Sequence, residues 1–139
     1  MSSMNPTAPV RRSVHAQGCE HATPIPSGSR IGPLLVSSVI APFDVGTRST
    51  PAAVADQVAN VFVRSGLILE AGGAGWEHVA RMTFYVADAS SRQAIDEAWT
   101  ERFPDAATRP ARATLTVALP PPVEVQGEFL AVVATGWAP

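Results

Sequence analysis

The stretch Arg109-Pro110-Ala111-Arg112-Ala113-Thr114-Leu115-Thr116-Val117 reads as a strand with two unlike faces, so a sheet must be the frame of this chain. Ala111, Ala113, Leu115 and Val117 share one face; Arg112, Thr114 and Thr116 share the other. A guanidinium standing out of a sheet among hydroxyls is a fixed fork of donors shaped to grip a carboxylate. Pro120-Pro121-Pro122 cannot sit in a central strand. Beyond it, Val125, Gly127, Phe129, Ala131 and Val133 alternate with Glu124, Gln126, Glu128 and Leu130. A short proline loop predicts that these two strands are antiparallel neighbours. Pairing Thr116 with Glu124 then sets Thr114 opposite Gln126 and Arg112 opposite Glu128 on one face. The plain outcome of that register is a cross-strand ion pair, which contributes roughly 0.2–1 kcal/mol and needs no ligand.

The remaining elements follow from period and punctuation. Cys19 to Pro26 could be an edge strand, Ser27-Gly28-Ser29 a turn, and Arg30 to Ala41 a buried strand completing a hairpin. Thr50-Pro51 looks like a helix start. Val54, Val58, Val61, Phe62, Ser65 and Leu69 recur at helical spacing, with Asp56, Gln57, Asn60 and Arg64 mostly on the solvent side. Gly72-Gly73 stop that helix. Met82, Phe84 and Val86 mark the buried face of a strand over 81–87. Ser90 and Gln93 have capping-box spacing ahead of a second helix carrying Ile95, Ala98, Trp99, Arg102 and Phe103 on one face. The order is strand, strand, helix, strand, helix, strand, strand. Two helices cover one face of a mixed sheet, which leaves the other for solvent or another copy; self-association is the expectation.

With 139 residues and 46% hydrophobic content, one domain with a single core is expected over 19–139, after a flexible tail over 1–18 that lacks the apolar run of a secretory signal. A second short tail is expected over Thr135 to Pro139. Ten basic against twelve acidic residues leave a net charge of -2, which argues against a nucleic-acid partner. No apolar stretch is long enough to span a membrane. One cysteine, Cys19, gives neither a disulfide framework nor a zinc pattern, and the expected location is cytoplasmic. His15, His21 and His78 lack ligand spacing, so no metal site is expected.

Arg109-Pro110-Ala111-Arg112-Ala113-Thr114-Leu115, followed by Leu119-Pro120 and Val125-Gln126-Gly127-Glu128, resembles the C-terminal signature of the Rid family, also known as YjgF or L-PSP. Leu34 to Ser38, Gln57 with Leu69 to Gly72, Trp76 to Asp88 and Trp99 to Phe103 resemble its other elements, so the likeness runs over roughly 20–134. It implies an α+β fold of the chorismate-mutase-like kind and a homotrimer with clefts between subunits. It also implies hydrolysis of reactive enamines and imines to 2-oxo acids and ammonia, without metal or organic cofactor. Arg112 would hold the substrate carboxylate, while Gln126 and Glu128 stand in that order at the two positions where the family offers acids, the first of which helps to hold water. Ser37, Ser38, Thr114, Asp96 and Pro24 would line the ligand site.

Several positions depart from the family pattern. Gln126 replaces the first acid, Thr114 the usual cysteine, Ser38 the glycine after the serine, and Pro24, flanked by His21 and Ile25, stands where an aromatic is common. An amide can orient water but cannot serve as its base. The pocket should therefore differ from that of housekeeping members. A binding protein for 2-oxo acids without turnover is one alternative, and a pathway-specific catabolic deaminase of the aminomuconate type is another. The ribonuclease role attached to the family name fits poorly with the acidic balance.

Overall fold

A computed structural model describes residues 10–134. Its elements run β1 (Arg11–Val14), β2 (Gly28–Ile31), β3 (Leu34–Ser37), α1 (Val54–Ala71), β4 (Val79–Val86), α2 (Arg92–Arg102), β5 (Ala111–Thr116) and β6 (Val125–Val132). The six strands form one mixed sheet in the order β1-β2-β3-β6-β4-β5. Neighbours are antiparallel except β4 and β5, which run parallel as the two strands flanking α2 in sequence.

Both helices cover the same face. α1 turns Val58, Val61, Ile68 and Leu69 inward, α2 turns Ile95 and Trp99 inward, and the sheet answers with Leu35, Met82, Phe84, Val86, Val125, Phe129 and Ala131. The Val, Leu, Ile, Met and Phe side chains among these contribute about 1.5–3 kcal/mol each by leaving water. α1 lies close on β6 because Gly127 has no side chain: a Cβ there would stand 2.8 Å from Val61 Cγ1. Gly66, inside α1, faces the Trp76 indole, and a Cβ there would stand 3.4 Å from Trp76 Nε1, an ordinary contact. No helix among the described residues is long and apolar enough to cross a membrane.

Parts of the expected layout need correction. The expected tail over 1–18 is wrong where it is described: Arg11–Val14 pairs with β2 as an edge strand, while 1–9 lie outside the described residues. Its alternation was too short and too polar to stand out. The tail expected over 135–139 also lies outside them. Cys19 to Pro26 is irregular, and the hairpin turns instead at Gly32-Pro33, between β2 and β3. Gly32 has a positive φ of 52°, which a tight turn there requires.

The helix starts differ too. α1 begins at Val54 with Ala53 before it, and the turn ahead of α2 is capped by Asp88, which accepts from the Ser90 amide, with no side-chain cap from Ser91. Gln57 and Arg64, assigned to solvent by periodicity, are buried. Arg64 donates to the carbonyls of Phe43, Asp44 and Thr47, and so secures the loop before α1. Arg30, also buried, reaches Gly72 O at 2.6 Å, a cation set against the carbonyl end of α1.

The largest correction concerns β5 and β6. They are not neighbours, because β4 lies between them. The segment after β5 passes over the end of β4, where Val117 N donates to Val86 O and Ala87 N donates to Glu124 O. Gln57 holds this crossing: its Nε2 donates to Pro51 O and Pro122 O, and its Oε1 accepts from Glu124 N.

Candidate functional site

Register fixes which side chains can meet. Arg112 pairs with Met82, and Thr114 with Phe84, so both stand on the helix-covered face at the outer edge of the sheet. Glu128 pairs with Thr83 and Gln126 with Tyr85, which puts both on the uncovered face. The expected patch of Arg112, Gln126 and Glu128 on one face of one chain is therefore not formed. Sequence alternation gave each strand its two faces correctly, but the intervening β4 broke the assumed pairing.

Around Arg112 the geometry is definite. Its Nη2 donates to Asp96 Oδ1 at 2.5 Å, and its guanidinium carbon lies 5.2 Å from the centre of the Trp99 ring. Trp99 is itself wedged by Phe103, with centroids 4.8 Å apart, and by Phe84 at 6.4 Å, both near edge-on. Arg92, in the first turn of α2, donates to Thr114 O at 2.9 Å and ties the helix to the edge strand. The Arg112 side chain is 24% exposed and that of Asp96 60%. Asp96 is the one hydrogen-bonded partner of Arg112 among the described residues, so further donors of its partly exposed fork are left without a partner there.

On the uncovered face, Glu128 accepts a short hydrogen bond from the Tyr85 hydroxyl. That bond, with burial and the carboxylate charge adding to it, raises the Tyr85 pKa above its ordinary value. Glu128 stands in a shallow hollow of about 150 Å³ with Val36, Arg81, Thr83 and Leu130. Tyr85 was not among the expected site residues; its place between Phe84 and Val86 on an alternating strand was the available signal.

Other expected ligand residues are engaged elsewhere. Ser37 is buried and accepts from Phe129 N, and Ser38 donates to Pro26 O. Their hydroxyls serve the backbone. Pro24 is exposed on the loop before β2, beside a concavity that also includes His15, Glu20 and His21. Burial, then the charges of Arg48 and Arg64, push the His21 pKa down. A concavity of about 690 Å³ between Gly18, Val45 and the second half of α1 is lined by Glu20 and Glu70 and by no cation, so no charged partner for a carboxylate stands there. Among the described residues, no three His, Cys, Asp or Glu side chains gather as a metal site would need.

These features define a class: a small α+β protein whose sheet carries, at one edge, an arginine stacked on Trp99 and paired with Asp96, and a tyrosine-bound glutamate on an uncovered face. The family model described as Endoribonuclease L-PSP matches residues 22–133, and the chain belongs to that family, the Rid or YjgF family. It is 33% identical over 78 residues to a RutC family protein of Aquifex aeolicus, covering 55% of this chain and 62% of that protein. The chain thus spans about three fifths of the length of the curated relatives it matches. It superposes on the YjgF gene product of E. coli with TM-score 0.79 and 25% identity over 87% of this chain and 98% of the other. For E. coli TdcF with bound serine, the values are 0.80 and 26% over 88% and 99%.

Proposed function

We propose that this protein is a homotrimeric deaminase that hydrolyses reactive enamine and imine intermediates to 2-oxo acids and ammonia in the cytoplasm. The observation that carries the reading is Arg112: a guanidinium fixed over Trp99, open to one side, with an exposed carboxylate as its partner. A substrate carboxylate takes the fork through parallel hydrogen bonds and is thereby oriented. The enamine tautomerises to the imine, water adds to the C=N carbon, and the carbinolamine collapses to a 2-oxo acid with loss of ammonia. Glu128 accepts the proton of the water and Gln126 orients it.

Arg112 and Glu128 project from opposite faces of their own sheet, so a site containing both takes Arg112 from one copy and Glu128 from the next. Ile31, Leu34, Leu115 and Val132 leave the uncovered face apolar enough for such an assembly. The test is ammonia release from 2-aminoacrylate generated in place by a dehydratase. Arg112→Ala and Glu128→Gln should each abolish acceleration, and trimers mixed from the two variants should regain part of it, because some clefts then contain both wild-type groups. No acceleration by the wild type across a panel of enamines, including amino-substituted ring-cleavage products, would sink the reading.

Gln126 favours a second reading, a 2-oxo acid binding protein without turnover, since it stands where the family offers an acid. Deaminase activity gained on Gln126→Glu would support it.

A further inference from the structure

We propose that Asp96 is a specificity-determining residue, making the Arg112 site select ligands that carry a cationic nitrogen beside their carboxylate over plain 2-oxo acids. The inference rests on Arg112 being the carboxylate anchor. Arg112–Asp96 is the one ion pair among the described residues, and it is too exposed to contribute much to folding. Trp99 already fixes the guanidinium plane, and Arg92 already ties α2 to β5, so neither placement needs the Asp96 carboxylate. Its side chain makes no other hydrogen bond among the described residues.

The consequence is a charge filter. A plain carboxylate that enters the fork must either displace Asp96 or sit beside it, like charge against like charge within a few ångströms. A ligand with an ammonium or iminium nitrogen next to its carboxylate meets both groups: the carboxylate takes the open donors of Arg112, and the N–H groups donate to Asp96. Hydrolysis exchanges that nitrogen for a carbonyl oxygen. The product has lost its partner for Asp96 and keeps only the repulsion, so the site holds substrate and releases product.

L-alanine and pyruvate share one carbon skeleton and differ in that nitrogen. Calorimetric titration of both into wild type, Asp96→Asn and Arg112→Ala tests the filter. The wild type should bind L-alanine more tightly than pyruvate, and Asp96→Asn should strengthen pyruvate about tenfold while weakening L-alanine. An unchanged ratio of the two affinities in Asp96→Asn would overturn the proposal while leaving the anchor intact. Both ligands retained at full affinity by Arg112→Ala, or neither bound by any form, would remove the anchor and this inference with it.

Discussion

Arg112 and Trp99 form a single unit: the guanidinium carbon lies 5.2 Å from the ring centre, and the ring belongs to the core face of α2. A lysine in place of Arg112 has no plane to stack and no fork to offer. Arg112→Lys should therefore fold normally yet bind pyruvate at least about tenfold more weakly than wild type, as read by calorimetry. Retained affinity would show that charge alone is sufficient.

Gln57 should matter more to stability than any polar residue near the site. Its three hydrogen bonds close the crossing between β5 and β6, and it is fully buried. Gln57→Leu leaves two carbonyls and one amide without their partner at a half-buried crossing, which should lower the unfolding free energy by about 1–3 kcal/mol. Urea denaturation measures it; a change below a few tenths would mean the loop re-pairs with water.

Much of this fold was legible from period and punctuation, and the misses share a physical cause. Met82, Phe84 and Val86, the β6 alternation and the Gly72 helix stop follow from local chemistry, and the chain obeys them. What a strand pairs with is a long-range matter. Nothing in Leu119 to Val123 says that it crosses β4, because Gln57, far away in sequence, makes the crossing. Gln57 and Arg64 were misplaced for the same reason: a long polar side chain on a helix is buried when distant carbonyls wait for it. Of the site, Arg112, Asp96 and Thr114 were readable as types and come together. Their relation to Glu128 and Gln126 was not, since face depends on register.

Gly127 should tolerate no side chain. A methyl group there would press on Val61 Cγ1 at 2.8 Å, between a central strand and a packed helix, and neither can move aside easily. Gly127→Ala should cost about 1–3 kcal/mol, seen as a lower denaturation midpoint. An unchanged midpoint would mean that α1 shifts freely.

Tyr85 is the one tyrosine in the sequence, so its ionisation can be followed by near-ultraviolet absorbance without assignment. The bond to Glu128 favours the neutral phenol, and the midpoint should lie above the ordinary 10.0. Because the folded phenol loses its proton at higher pH than the unfolded one, the stability it contributes is fully present below pH 10.0 and is lost as pH rises through the folded midpoint. Glu128→Gln removes the carboxylate that stabilises the phenolic proton and should bring the midpoint down. A midpoint that does not move would separate Tyr85 from Glu128 in solution.

The central position of β6 has a consequence for how the chain is made. It is the last described strand to leave the ribosome, yet it lies between β3 and β4 and pairs with both. Until it emerges, the nascent chain presents two strands with their shared neighbour missing, each with a row of unpaired amides and carbonyls. Translation thus keeps the sheet open between β3 and β4 until β6 has emerged to pair with both.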